Sequence, residues 1–141
     1  MSFVLDNSVA MRWCFGGGSP KDLAYAGRIL DALKAEEALV PGMWGLEVAN
    51  VLVRAESAGL VSEARSANFI GVLKKLDISV DPETPAHALS ATMQLARRHA
   101  LSAYDAAYLE LALRTGLPLA TLDGELLKAA RKAGVKRFAS A

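Results

Sequence analysis

Short apolar segments recur along the chain, and each is followed within two residues by an acid or a proline. They occupy residues 3–5, 38–40, 78–80 and 119–121. Runs that are mostly apolar and only three residues long are typical of strands buried on both faces of a sheet. The segment 135–138 is a further candidate strand.

Between these segments, apolar residues recur at helical spacing. Residues 21–37 show this clearly, since Leu23, Ala26 and Leu30 fall on one stripe. The same spacing predicts helices over residues 21–37, 44–59, 62–75, 84–99, 103–115 and 124–133. Strands that alternate with helices indicate a parallel sheet covered on both faces. We therefore predict an α/β fold, a three-layer α/β/α sandwich around a central, mostly parallel sheet of short strands.

Length and composition fit one domain spanning residues 1–141. The chain has 16 basic and 15 acidic residues and a net charge of +1, so it lacks the basic excess of proteins that coat nucleic acid by charge alone. Its single cysteine, Cys14, excludes an internal disulfide and favours a reducing, cytoplasmic setting. The longest uncharged stretch, residues 84–96, is shorter than the ~20 residues of a membrane span, and we expect no export segment and no membrane anchor.

Several common chemistries find no support in the sequence. There is no G-x-S-x-G nucleophile motif, and the glycine run at residues 16–18 lacks the Lys-Ser/Thr of a phosphate-binding loop. There is also no C-x-x-C or H-E-x-x-H zinc motif. These absences direct attention to the acidic residues.

Four acids fall where strands end or helices begin. Asp6 ends the first strand, Asp123 follows the 119–121 strand, and Glu47 and Asp105 lie in the first turns of two predicted helices. In a parallel sheet the strand ends and the helix starts that follow them share one edge, where ligands bind. The four carboxylates are therefore expected to converge there.

Each acid also has a structural interpretation. Asp105 could belong to a capping box with Ser102, and Asp123 could cap the helix that starts at residue 124. Glu47 suits the positive end of a helix, and Asp6 could be a turn residue. Taken singly, these interpretations are adequate, but they do not explain why all four acids fall at the same edge.

Converging carboxylates repel one another unless a cation is present. A cluster of carboxylates without His or Cys favours Mg²⁺ or Mn²⁺ over Zn²⁺. Such a site is suited to phosphodiester hydrolysis, where one ion activates the attacking water and a second can stabilise the leaving oxygen.

These acids and their neighbours resemble the PIN-domain ribonucleases, and most of all the VapC-type toxins of bacterial toxin–antitoxin modules. The resemblance is carried by residues 3–10 (Phe-Val-Leu-Asp-Asn-Ser-Val-Ala), 46–52 (Leu-Glu-Val-Ala-Asn-Val-Leu), 101–109 (Leu-Ser-Ala-Tyr-Asp-Ala-Ala-Tyr-Leu) and 117–123 (Leu-Pro-Leu-Ala-Thr-Leu-Asp). It covers nearly the whole chain, and the last two blocks are the most specific.

The resemblance implies roles for individual residues. Asp6, Glu47, Asp105 and Asp123 would be the metal-site and catalytic acids, with Asp6 and Asp105 the firmest ligands. The polar residues that would hydrogen-bond within or beside the site are Ser8, Asn50 and Thr121. It also implies Mg²⁺ or Mn²⁺ as cofactor, cleavage of single-stranded RNA regions, a homodimer and a cognate antitoxin protein. One departure is the loop at residues 16–19, Gly-Gly-Gly-Ser, where relatives with a similar start often carry an acid.

Two basic features add to this interpretation. Arg54 falls on the same side of its predicted helix as Glu47 and Asn50, so it either pairs with an acid, reaches a phosphate or is simply solvated. The stretch from residue 128 onward is basic and contains no acid, which fits either an RNA-binding patch or a solvated helix end.

Two other functions are alternatives to a metal-dependent ribonuclease. A catalytically silent module of the same fold would bind RNA or protein and use the acids only as caps. A phosphatase or phosphotransferase with Asp6 as nucleophile is disfavoured, because the second aspartate expected two residues later is Ser8.

Overall fold

A parallel sheet of four short strands lies at the centre of the fold. In the computed structural model, which describes residues 2–139, the strands are β1 (Phe3–Leu5), β2 (Ala38–Val40), β3 (Ile78–Val80) and β4 (Leu119–Ala120). Their order across the sheet is β3-β2-β1-β4, and all neighbouring strands are parallel. The carboxyl ends of the strands therefore share one edge, which confirms the basis of the site prediction.

Helices flank this sheet, and the predicted α/β fold class is confirmed. They are α1 (Asn7–Phe15), α2 (Pro20–Ala32), α3 (Trp44–Ser57), α4 (Glu63–Lys75), α5 (Thr84–His87), α6 (Met93–His99), α7 (Ala103–Thr115) and α8 (Gly124–Lys132). Helix α2 ends five residues earlier than its periodicity predicted. No helix in the described part of the chain is both long enough and apolar enough to cross a membrane.

Helix α1 was not predicted. It begins directly after β1, without an intervening loop, and its N-cap residue Asp6 makes no capping bond with its side chain. Helix α1 buries Val9, Ala10, Met11 and Cys14 against the core. With neither a loop nor a capping signal before it, only tertiary packing marks this segment as a helix.

The predicted helix over residues 84–99 is interrupted. A π-helical turn, Ala88–Thr92, separates α5 from α6 and places Thr92 in the interior while Leu89 is 88% exposed. A π turn inserts an extra residue into the helix, and a 3.6-residue periodicity does not reveal such an insertion.

The prediction of a strand over residues 135–138 was wrong. Only one parallel bridge forms there, between Leu119 of β4 and Arg137. The neighbouring Phe138 instead turns its ring onto Phe3 of β1, with ring centroids 4.1 Å apart and an interplanar angle of 5°. The hydroxyl of Tyr25 donates a hydrogen bond of 2.7 Å to the Phe138 carbonyl. These contacts hold residues 137 and 138 beside β4 and against Phe3 of β1.

A second acid, Asp81, follows β3 at the same edge as Asp6. Arg114 neutralises it: Nη2 lies 2.6 Å from Asp81 Oδ2, and Nε lies 2.8 Å from Glu110 Oε2. The side chains of both acids are almost completely buried, with 6% and 5% of their surfaces exposed. Burial alone would raise the pKa of Asp81, but hydrogen bonds from Arg114 and Thr84 hold that pKa below its usual value. This cluster is a structural ion-pair network.

Candidate active site

Asp6 is the most deeply buried of the four predicted site acids. Its backbone N–H donates to the Ala120 carbonyl at 2.9 Å, which continues the β1–β4 ladder by one residue and fixes its position. Its residue surface is only 4% exposed. One carboxylate oxygen, Oδ2, accepts hydrogen bonds from the hydroxyls of Ser8 at 2.6 Å and Thr121 at 2.8 Å. Asp6 is therefore held by neutral donors only.

The two hydroxyls also tie together the loops around Asp6. Ser8 Oγ accepts the backbone N–H of Leu122 at 2.9 Å, and Thr121 Oγ1 accepts that of Asp123 at 3.0 Å. Each hydroxyl thus donates its proton to Asp6 and accepts from the segment that leads into α8. The start of α1 and the end of β4 are joined through the Asp6 carboxylate, in agreement with the predicted placement of both hydroxyls beside the site.

The electrostatic environment of Asp6 opposes its ionisation. Burial raises the pKa of Asp6 to about 6, and the bonds from Ser8 and Thr121 offset only part of that rise. The negative charges of Asp105 and Glu47 raise the pKa further. None of the ion pairs among the described residues involves Asp6.

Glu47 lies in the first turn of α3 and faces the same region. Its Oε1 accepts a hydrogen bond from the Tyr108 hydroxyl of α7. Burial raises the pKa of Glu47 and the charge of Asp105 adds to that rise, whereas the Tyr108 bond opposes it. Burial and the nearby charges of Asp6 and Glu47 also raise the pKa of the Tyr108 phenol, so it remains a proton donor at neutral pH.

Asp105 and Asp123 stand at the starts of two helices. Ser102 caps α7 by accepting the backbone N–H of Asp105 at 3.1 Å, and Asp123 Oδ1 caps α8 by accepting two backbone N–H groups, at 3.0 and 3.1 Å. The capping interpretation of Asp123 is thus confirmed, but its second oxygen, Oδ2, has no hydrogen-bond partner among residues 2–139. Burial and then the charge of Asp123 raise the pKa of Asp105.

The four acids form one electrostatic group. Asp6 is influenced by Asp105 and Glu47, Glu47 by Asp105, and Asp105 by Asp123. In the described residues, however, no set of three or more His, Cys, Asp or Glu side chains is already arranged to hold a metal ion. Three of the carboxylates are held by different partners: Asp6 by Ser8 and Thr121, Glu47 by Tyr108, and Asp123 by the α8 N-terminus.

Two further predicted residues lie outside this network. Asn50 and Arg54 both occupy exposed positions on α3 and form no hydrogen bond or ion pair with the four acids.

The basic stretch from residue 128 onward contains one residue bound within the fold and several exposed ones. Arg137 donates to the Thr121 carbonyl at 3.1 Å and lies 3.8 Å above the Tyr25 ring, so its charge is committed within the fold. The exposed members of the stretch are Lys128, Arg131, Lys132 and Lys136.

Sequence reasoning missed Tyr108 as a site residue. The available signal was its spacing, because Tyr108 lies three residues after Asp105 and so shares a face of α7 with it. A tyrosine on an apolar helix is usually assigned to the core, and Tyr108 is indeed fully buried. Its role becomes visible only when α3 brings Glu47 to its hydroxyl.

Comparison with known proteins places this arrangement in a family. The family model described as the PIN domain matches residues 3–132, which include all four acids. The chain belongs to the PIN-domain family. This PIN domain is also 32% identical over 93 residues to a curated protein, Ribonuclease VapC3 of Pyrobaculum aerophilum, a match covering 66% of this chain and 71% of the relative. The resemblance to VapC-type members of the family is thereby confirmed.

Solved structures share the fold of this PIN domain. The crystal structure of PAE2754 from Pyrobaculum aerophilum superimposes with a TM-score of 0.65 at 23% identity, covering 92% of this chain and 87% of the other. The structure of VapBC2 from Rickettsia felis bound to a DNA fragment from their promoter gives 0.67 at 9% identity, with 97% of both chains covered. FitAcB from Neisseria gonorrhoeae gives 0.56 at 18% identity, over 98% of this chain and 96% of the other.

Proposed function

We propose that this PIN domain is a metal-dependent endoribonuclease that cleaves single-stranded regions of RNA and acts as the toxin of a toxin–antitoxin pair. The observation that carries the proposal is the unneutralised state of Asp6. It is buried, its hydrogen-bond donors are uncharged, and two neighbouring carboxylates oppose its ionisation. The relative named as a ribonuclease supports the substrate class.

The donor set fits Mg²⁺ or Mn²⁺. Asp6, Glu47, Asp105 and Asp123 supply only hard oxygen ligands, and their mutual repulsion is the electrostatic condition that a divalent cation relieves. When bound, such an ion would neutralise the carboxylates and lower the pKa of water for attack on a phosphodiester. Side chains must shift for all four to ligate together, because no three of them are arranged to hold an ion within the described residues.

The chain's own residues supply the positioning. Ser8 and Thr121 fix one oxygen of Asp6 and leave the other, Oδ1, without a hydrogen-bond partner among the described residues. Tyr108 donates to one oxygen of Glu47 and so orients the second. The α8 cap fixes Asp123 in the same way and leaves its Oδ2 available. These bonds limit the rotamers of three carboxylates before any ligand arrives.

The remaining assignments follow from the relatives. The structural neighbours named VapBC2 and FitAcB support a cognate antitoxin protein as partner of this chain. We include a homodimer and a cytoplasmic setting in the proposal, the latter because the only cysteine, Cys14, is a free thiol. The whole chain is proposed to act as a single domain.

The test is RNA cleavage by the purified protein. End-labelled RNAs containing single-stranded loops are incubated with Mg²⁺ or Mn²⁺, then with EDTA, and resolved on a denaturing gel. We expect cleavage that requires metal and disappears in Asp6→Asn. The matched control is Asp31→Asn, an exposed aspartate on α2 paired only with Lys34.

Two results would contradict this proposal. Cleavage that persists in EDTA or in Asp6→Asn would remove the acid site from the reaction. No cleavage of any RNA, together with metal binding that Asp6→Asn leaves unchanged, would favour the catalytically silent binding module. The caps formed by Ser102 and Asp123 would then be the whole role of that edge.

A further inference from the structure

A groove of about 640 Å³ lies between the end of α1, the glycine loop after it and the middle of α3. We call it the arginine groove, because Arg12 of α1 and Arg54 of α3 both line it. Phe15 and Val51 contribute apolar walls, and no acid from the described part of the chain lines it.

Neither guanidinium group forms an ion pair within the described residues. The side chains of Arg12 and Arg54 also take part in no hydrogen bond within residues 2–139. Arg12 is half-buried, and its Nη1 packs against the loop so closely that a β-carbon added at Gly17 would lie 3.3 Å away. Asp22 lies nearby across the loop, since a β-carbon added at Gly18 would lie 3.1 Å from Asp22 Oδ2 and 3.4 Å from Arg12 Nη1, but Asp22 does not line the groove. The groove is therefore suited to an anionic ligand.

The groove continues from the acid site along one helix. Glu47 and Arg54 are both on α3, seven residues apart, and so lie on the same side about 10 Å from each other along the axis. A nucleic-acid strand covers that distance in about three nucleotides. The arginine groove is therefore within reach of a strand held at the acids.

We propose that the arginine groove binds backbone phosphates of the single-stranded RNA beside the cleavage site, with Arg12 and Arg54 as donors. The proposal rests on the ribonuclease function proposed above and assigns it a substrate-binding surface. Guanidinium groups donate to phosphate oxygens in a bidentate fork. Binding through the backbone also explains how a nearly neutral protein attracts a polyanion.

The position of the groove favours RNA over an acidic protein segment as the occupant, because α3 connects it to the proposed cleavage site. Gly16, Gly17 and Gly18 all have positive φ, at 65°, 74° and 76°, and carry no side chains, so a polymer backbone can approach the groove closely. Phe15, half-buried against the core, contributes aromatic surface to the groove. Phosphate contacts beside an aromatic surface are typical of single-strand binding.

The test measures RNA binding without cleavage. A short fluorescein-labelled single-stranded RNA is titrated with the full chain in EDTA, and anisotropy is followed at several salt concentrations. Arg12→Gln and Arg54→Gln should each weaken binding roughly tenfold, as expected for a lost charged hydrogen bond. Each should also lower the slope of log affinity against log salt by about 1. The control, Arg97→Gln at an exposed position of α6, should change binding far less.

A second pair of variants changes the groove by charge alone. Gly17→Asp and Gly17→Asn introduce the same strain at a positive φ and side chains of the same size, but only Asp places a carboxylate beside Arg12. We expect the Asp variant to bind RNA at least several-fold more weakly than the Asn variant. Thermal melting of both variants verifies that they are equally folded.

Three outcomes would overturn the proposal. The double variant Arg12→Gln/Arg54→Gln could bind RNA with unchanged affinity and salt slope, while the wild type still cleaves RNA with Mg²⁺; the groove assignment would then fail alone. The double variant could retain RNA binding but lose binding of an acidic helical peptide, which would assign the groove to a protein partner. A wild type that neither binds nor cleaves RNA would overturn the ribonuclease function as well.

Discussion

Two aspartates stand at the ends of two strands of one sheet and have opposite environments. Asp6 follows Phe-Val-Leu and Asp81 follows Ile-Ser-Val, and their residue surfaces are 4% and 5% exposed. Asp81 meets the guanidinium of Arg114, and its pKa lies below the usual value. Asp6 meets two hydroxyls and two like charges, and its pKa is raised to about 6.

The different environments of Asp6 and Asp81 suggest different roles for two buried acids at the same edge of the sheet. A buried carboxylate that serves only stability is paired with a cation from its own chain, as Asp81 is. A buried carboxylate left without a cation makes the fold less stable at neutral pH, and a cation from outside the chain would relieve that cost. Asp6 is a buried carboxylate without a cation from its own chain.

The sharpest test exchanges the two aspartates for asparagine. Asp6→Asn should abolish RNA cleavage, a loss of more than about 10³-fold or ~4 kcal/mol of transition-state stabilisation. Asp81→Asn should leave cleavage near wild type below its lowered melting temperature, because Asp81 is paired within the fold and is not among the four site acids. Initial rates on one labelled RNA, measured at a temperature where both variants are folded, give the comparison. Equal losses in the two variants would show that the two environments do not divide function from stability.

The converse test removes the internal cation. Arg114→Met leaves Asp81 and Glu110 buried without a cationic partner, and breaking a buried pair costs about 3–5 kcal/mol. Because the Arg114 side chain is 23% exposed, we expect the lower end of that range, about 3 kcal/mol. Urea unfolding measures the loss.

A companion variant removes the charges together. Arg114→Met with Asp81→Asn and Glu110→Gln takes away all three charges and should recover most of the lost stability. If the triple variant is no more stable than Arg114→Met alone, the cost does not come from uncompensated charge.

The sequence predicted the positions of the four acids but not their hydrogen-bond and ion-pair partners. Asp6, Glu47, Asp105 and Asp123 were identified from their places after strands and at helix starts, because parallel topology brings such positions together. The opposite environments of Asp6 and Asp81 could not be predicted, since both follow short apolar strands. Arg114 reaches Asp81 across 33 residues of sequence, and Tyr108 reaches Glu47 across 61. Neither separation leaves a local pattern.

The pH dependence of stability should differ in sign at the two aspartates. The pKa of Asp6 is higher in the folded protein than the ordinary 3.8, so the folded state binds a proton between about pH 6 and 4 where the unfolded state does not. The metal-free protein should therefore gain stability as pH falls through that window, by at most about 3 kcal/mol. The pKa of Asp81 is lowered, so its contribution is present above about pH 4 and is lost below it.

Urea unfolding in EDTA from pH 8 to 4 checks the Asp6 contribution. The wild-type free energy of unfolding minus that of Asp6→Asn isolates this residue. We expect the difference to rise as pH falls, and also to rise at neutral pH when Mg²⁺ is added, because the ion stabilises the ionised carboxylates of the folded wild type more than those of the variant. A difference that is independent of pH would mean that Asp6 is not destabilised by its charge.

The smallest expected effect tests whether the neutral donors position the acids for a ligand. Tyr108→Phe removes the hydroxyl that donates to Glu47 and should raise the Mg²⁺ concentration for half-maximal cleavage roughly tenfold, as loss of an outer-shell partner does. The rate at saturating metal should change less, because Glu47 itself is retained. Tyr104→Phe on the same helix is the matched control, since Tyr104 is 63% exposed. Tyr108→Phe could instead lower only the melting temperature and show the same Mg²⁺ dependence as Tyr104→Phe and the wild type. The hydroxyl would then serve packing, and Glu47 would not be oriented through it.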